Sequence, residues 1–168
     1  MARGIHTLPN DGITTDWLTP PELLDRLGVF ELDPCAHPSQ PWTTAGRMIA
    51  PPDDGLTGDW GRARVWLNPP YGRSITPWME RMAAHNHGTA LVPARTEVER
   101  WFFPFVWESA AAVLFLRGRL FFRTPEGGRR GNAGHGSVLV AYGVDDARKL
   151  KSSGLPGQFV KLPARKKG

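Results

Sequence analysis

Val65-Trp66-Leu67-Asn68-Pro69-Pro70-Tyr71-Gly72 is the stretch on which the reading of this chain turns. Three apolar residues predict the end of a buried strand. The two prolines cannot donate to a sheet ladder, so the chain must leave the sheet at Asn68. Beyond them, Ser74 to His85 has helical spacing, with Ile75, Trp78, Met79 and Met82 apolar. A strand, a rigid corner and a helix put the corner at the carboxyl end of a strand, where open α/β sheets hold their ligands. Two acceptors converge there, the Asn68 carboxamide oxygen and the Pro69 carbonyl, with the Tyr71 ring beside them. Such a set suits an exocyclic NH2 group. Each acceptor takes one hydrogen, the ring stacks on the base, and the nitrogen lone pair is left facing an electrophile. The same letters also describe a strand followed by a proline-rich turn with a packed tyrosine, so the flanking stretches must decide.

Composition narrows the classes. The 168 residues are 40% hydrophobic and 22% charged, which is globular rather than disordered and fits one domain. No apolar run approaches the roughly 20 residues of a membrane helix, and the N-terminus lacks the apolar core of a signal peptide. Cys35 is the single cysteine, which excludes an internal disulfide and a cysteine zinc cluster and suits a reducing cytoplasm. His85 and His87 near a helix end read as surface residues, and no metal is expected. A net charge of +5 and a pI near 9.9 favour a polyanionic partner.

Residues 1–13 are polar and glycine-bearing and are expected to form a loose arm ahead of a domain spanning 14–148. Thr19 is the expected N-cap of a helix over Glu22 to Leu27, with prolines in the first turn, Glu22 placed as in a capping box and Gly28 ending it. The N-terminus of that helix is expected to receive a carboxylate. Val29-Phe30-Glu31-Leu32 predicts a short strand, and Asp33-Pro34-Cys35-Ala36 breaks from its end. An acidic residue followed by small ones can take a ligand ammonium or ribose hydroxyls while the backbone approaches closely. Only a weak strand near Met48-Ile49 is visible in the proline-rich stretch that follows. Asp54, 14 positions before Asn68, can accept from an adenine amino group beside Leu56, or simply close an Asx-turn.

Further on, Thr89 to Pro93 predicts another strand, Val98 to Trp107 an amphipathic helix despite Pro104, and Ala112 to Leu116 and Ser137 to Tyr142 two more strands. Between the last two, Arg123 to Gly136 reads as a mobile basic loop on its glycine content. Arg62, Arg64, Arg73, Arg129 and Arg130 are candidates for holding phosphates. Residues 149–168, with Lys149, Lys151, Lys161, Arg165, Lys166 and Lys167, read as a disordered cationic tail.

Asn68-Pro69-Pro70-Tyr71 resembles the catalytic motif of S-adenosylmethionine-dependent amino methyltransferases. The order Thr19-Pro20-Pro21, Asp33-Pro34-Cys35-Ala36, Asp54-Gly55-Leu56 and then Asn68 to Tyr71 resembles the small, phage-type DNA N6-adenine methyltransferases, which are Dam-like in chemistry. Arg117 to Phe122 and the Ser137 strand are similar to that family too, so the likeness runs from Trp17 to Gly143. The usual glycine-rich cofactor turn is replaced by Asp33 to Pro38. The resemblance implies a single-domain Rossmann-like fold, a mostly parallel sheet with a C-terminal antiparallel hairpin. It implies S-adenosylmethionine as cofactor, held by Thr19, Pro20, Asp33, Pro34, Cys35, Ala36 and Asp54. It implies adenine flipped out of DNA as substrate at Asn68, Pro69, Pro70 and Tyr71, in the cytoplasm of a bacterial host. The DNA word would be read by loops, a homodimer or a recognition partner. Two other readings stand beside it: a protein glutamine methyltransferase, and a non-catalytic nucleic-acid-binding protein on a methyltransferase fold.

Overall fold

A computed structural model describes residues 17–132 and 134–163. The expected arm at 1–13 lies outside the described residues, as do Arg165, Lys166 and Lys167 of the expected tail. The order of elements is α1 (Pro21–Leu27), β1 (Leu32–Asp33), β2 (Arg47–Met48), β3 (Val65–Leu67), α2 (Ile75–His85), β4 (Gly88–Pro93), β5 (Ala112–Leu116), β6 (Phe121–Arg123), β7 (Arg129–Asn132), β8 (Ser137–Tyr142), α3 (Val144–Ser152) and β9 (Gly157–Lys161).

The buried triplet of β3 explains the layering. Val65 and Leu67 join an apolar cluster with Ile75, Trp78, Met79 and Met82 of α2. Trp66, between them, joins a second cluster with Leu23, Leu24 and Leu27 of α1 and Leu150 of α3. Alternate side chains of one strand thus feed two cores, so the sheet is covered on both faces. Gly88 permits the close approach of β4: a Cβ there would lie 2.1 Å from the Val65 carbonyl oxygen.

Seven strands form one mixed sheet in the order β2-β1-β3-β4-β8-β5-β9. The junctions β2–β1, β1–β3 and β3–β4 are parallel, whereas β4–β8, β8–β5 and β5–β9 are antiparallel. The expectation of a mostly parallel sheet is therefore corrected, because the antiparallel pairs are the longer ones. The reason is the return path: β8 inserts between β4 and β5, and β9 then pairs along the free edge of β5. The expected C-terminal hairpin is replaced by this insertion.

Four local expectations change with it. Leu32–Asp33, not Val29 to Leu32, forms β1, because Glu31 and Leu32 both donate to the Arg64 carbonyl and Val29 is left at the surface. The segment before β5 closes as a π-type turn over Phe103–Trp107, with Glu108 N–H reaching the Phe103 carbonyl, since Pro104 cannot donate. The expected basic loop holds the β6–β7 hairpin, closed by Thr124 N–H to the Gly128 carbonyl at 2.9 Å. The expected disordered tail instead completes α3 and supplies β9, anchored by buried Leu150 and half-buried Phe159.

Arg64, a candidate phosphate ligand by sequence, is buried instead. Its Nε and Nη2 both lie 2.8 Å from Asp146 Oδ1, while Nη1 and Nη2 donate to the carbonyls of Val29 and Leu27. The guanidinium also stacks over the Phe30 ring, 4.1 Å from its centroid. Removing one partner strands a buried charge, which costs about 3–5 kcal/mol. Arg64→Met should therefore lower stability by that order in urea unfolding, and Arg64→Met/Asp146→Leu should lose less than the sum of the single variants. Strict additivity would show that the two groups do not act as a pair.

Candidate functional site

A cavity of about 530 Å³ opens where β1, β2 and β3 end. Its walls are the loop after β1 (Pro34 to Pro38), the loop after β2 (Ile49 to Gly55) and the Asn68–Tyr71 corner, with Trp17, Leu18 and Trp78 completing it. Gly55 allows the first two loops to touch, for a Cβ there would lie 1.6 Å from the Pro34 carbonyl oxygen. Trp60 Nε1 then fixes the Gly55 carbonyl at 2.8 Å.

Asn68 is oriented from behind. Its Nδ2 donates to the Trp17 carbonyl at 2.9 Å and to Thr19 Oγ1 at 3.3 Å. A backbone carbonyl only accepts, so the nitrogen must face Trp17 and the carboxamide must keep Oδ1 as an acceptor. Nothing among the described residues donates to that oxygen. Trp17 is held in turn by an edge contact with Phe122 at 5.2 Å and by the backbone bridge between Leu18 and Arg123. Tyr71 lines the cavity and meets His135 edge-on at 5.4 Å. Its hydroxyl is buried without a partner among the described residues, and burial raises its pKa, so it stays protonated.

The expected cofactor residues divide. Pro34, Cys35, Ala36 and Asp54 line the cavity together with all four residues of the corner. Burial, with the Asp33 charge adding to it, pushes the Cys35 thiol up to about 12, so the thiol is uncharged at neutral pH. Asp54 Oδ1 accepts from Leu56 N–H at 2.8 Å, which is the Asx-turn, with Thr57 on its other oxygen. Thr19 is buried behind Asn68 rather than on the cavity wall, and its carbonyl receives Trp42 Nε1 at 3.2 Å. Pro20, not Thr19, stands at the N-cap of α1, with no side-chain cap; it lines a separate cleft. The capping-box partner Glu22 pairs with Arg123 instead.

Asp33 also faces away from the cavity. One oxygen accepts from Cys35 N–H at 3.0 Å and the other from Thr44 Oγ1. Its carboxylate closes the loop whose far side lines the cavity. Three contributors escaped the sequence reading. Trp17 acts through a backbone carbonyl and leaves no signal in side-chain pattern. Trp78 was legible only as helix core, and His135 only as part of a basic loop. Among the described residues no group of three or more His, Cys, Asp or Glu is placed to hold a metal.

Burial raises the Asp33 pKa from 3.8 to about 6, against the opposing bonds from Thr44 and Cys35. A raised carboxyl favours folding below pH 4, and that contribution is lost as pH rises through about 6. The protein should thus lose up to about 3 kcal/mol from this group between pH 4 and 7. Asp33→Asn can keep Cys35 N–H on its oxygen and donate its NH2 to Thr44 Oγ1, and it should flatten this part of the profile in urea unfolding. An unchanged pH profile in that variant would assign the dependence to other groups.

The model of the DNA N-6-adenine-methyltransferase (Dam) family matches residues 9–149. No curated protein and no solved structure matches the chain. The matched stretch spans β1 to β8, the whole cavity and the corner that ends β3, and the chain belongs to the DNA N-6-adenine-methyltransferase (Dam) family.

Proposed function

We propose that the chain transfers the methyl group of S-adenosylmethionine to the N6 amino group of an adenine flipped out of DNA. The observation that carries this reading is the pinned Asn68 carboxamide, whose nitrogen is committed to Trp17 and whose oxygen is free to accept. The sheet supports it as well. With β1 flanked by β2 and β3 and the cavity at their carboxyl ends, the arrangement is read as a Rossmann-like methyltransferase core.

The cavity suits the cofactor by its size and its lining. About 530 Å³ lies within the range of small-molecule sites. Apolar Pro34, Ala36 and Ile49 offer a surface to a flat ring, and the rim carboxylates of Asp53 and Asp54 complement an ammonium or hydroxyl groups. Bound S-adenosylmethionine supplies a methyl group on a sulfonium, activated for in-line displacement. The residues of the chain do the aligning, which is the main task in such a displacement. Asn68 Oδ1 and the Pro69 carbonyl each accept one N6 hydrogen, which draws the conjugated nitrogen toward a tetrahedral shape. Both acceptors also stabilise the positive charge that develops there. No strong base is needed, because the methylated amine is acidic and releases its proton to water. Flipping costs a few kcal/mol, and stacking on Tyr71, worth about 1–3 kcal/mol, offsets much of it.

Incubation with labelled S-adenosylmethionine and unmethylated genomic DNA should yield N6-methyladenine on nucleoside analysis. Asn68→Ala, if folded, should lower turnover at least about 100-fold while cofactor affinity survives, because the lost interactions strengthen in the transition state. Tyr71→Phe should keep most activity and all of the stability, since its hydroxyl is buried with no partner among the described residues. Tyr71→Ala should weaken both turnover and DNA affinity. Near-normal methylation by folded Asn68→Ala would overturn the mechanism.

A further inference from the structure

Outside the catalytic cavity, a second cleft of about 360 Å³ lies between α1, the β6–β7 hairpin and the turn at Gly154 to Pro156. Five arginines line it, Arg26, Arg117, Arg119, Arg123 and Arg129, against a single carboxylate, Glu22. They come from four separate stretches of chain, so the concentration of charge is a product of folding rather than of a basic run. We propose that this cleft binds a phosphodiester of the DNA strand that carries the target base. The proposal rests on the reading of DNA as substrate given above.

Three observations carry it. The first is the charge itself: planar guanidinium groups gathered at a concave surface match a phosphate geometrically. The second is Glu22, which sits in the cleft as a tethered anion. Its Oε1 lies 2.7 Å from Arg123 Nη2, and its side chain is two-thirds exposed. Its own backbone N–H, then Arg123 and Arg129, lower its pKa, so it remains charged and occupies one of the places an anion would take. An exposed pair of this kind adds little to stability and is readily exchanged for an external anion. The third is position. Pro20 lines this cleft and Leu18 lines the catalytic cavity, so the two openings are separated by the segment Trp17 to Pro20. Four extended residues span at most about 13 Å, roughly the rise of four nucleotides of one strand. Arg129 also covers the exposed ring of Phe121 at 5.2 Å, which holds its charge at the mouth of the cleft.

A contact of this kind adds affinity without reading sequence, and it appears in the salt dependence of binding. Binding of a short, fluorescently labelled mixed-sequence duplex should be titrated over a salt series without methyl donor, and methylation measured separately. Arg117→Gln/Arg129→Gln should reduce the slope of log K against log salt by about 1.8 and weaken binding about 30-fold near 0.15 M salt. Glu22→Gln frees Arg123 and should tighten binding about fivefold and steepen the slope by about 0.9. Arg100→Gln, on a residue that lines neither opening, should change little. Unchanged slopes in both cleft variants, or no DNA affinity in the wild type, would overturn the assignment. A wild type that methylates DNA while the cleft variants keep its slope would remove the cleft and leave the methyl-transfer reading standing. A wild type that binds through the cleft but yields no N6-methyladenine would do the reverse.

Discussion

The buried guanidinium of Arg64 is the constraint from which the site is built. It enters from the residue before β3 and gives its donors to Asp146 of α3 and to the last carbonyls around α1. Helix ends leave carbonyls unsatisfied, and a seven-residue helix has no stability of its own in water. Arg64 therefore does for α1 what a C-terminal cap would do, while Leu23, Leu24 and Leu27 hold its apolar face. A buried ion pair is poor evidence for net stability, because desolvation offsets most of the attraction. What it fixes here is geometry: β3, α1 and α3 meet at one point. The segment Trp17 to Pro20 runs directly into α1, so its position relative to the end of β3 is settled by that junction.

That position matters because Asn68 has no means of orienting itself. A carboxamide can rotate by half a turn at little cost, exchanging an acceptor for a donor in the same place. The Trp17 carbonyl removes this freedom, since only the amide nitrogen can face it. The rigid Pro69-Pro70 step then delivers a second acceptor without any side chain. In the proposed transfer, preorganisation of this kind would carry no reorganisation cost as charge develops on the amino nitrogen, which is where such electrostatic stabilisation gains its size. Tyr71 contributes differently. Its hydroxyl has no partner among the described residues, so in the proposed reaction the ring, not the oxygen, is the group that would meet the base.

The corner was legible in the sequence because its cause is local: apolar residues, then two prolines, then helical spacing, and β3 and α2 follow within a residue or two. The helix face of Ile75, Trp78, Met79 and Met82 is buried as its period requires. Asp33 misled because a buried carboxylate that closes its own loop and one that faces a ligand share the same sequence position at a strand end. Only the partners Thr44 and Cys35 distinguish them. Arg64 misled for a similar reason, since its partner is 82 positions away. The glycines of the hairpin and the lysines after Lys149 suggested disorder by composition, yet edge pairing with β5 and the burial of Leu150 supplied order that composition does not encode. The sheet topology was the least accessible part, because insertion of β8 between β4 and β5 depends on pairing alone.

One backbone segment joins the two clefts. Leu18 exchanges two hydrogen bonds with Arg123 of β6, and the neighbouring Trp17 presents the carbonyl that orients Asn68 while its ring meets Phe122. The hairpin therefore cannot tilt without moving the group that fixes the acceptor. The orientation of the Asn68 carboxamide is thus coupled through one short segment to the position of the β6–β7 hairpin. The bridge holds the Trp17 carbonyl in place without any ligand, so the acceptor at Asn68 is already oriented in the free protein. The antiparallel bridge between residues 18 and 123, small as it is, ties the segment that orients Asn68 directly to the β6–β7 sheet, where the route through β5, β8 and β4 is far longer.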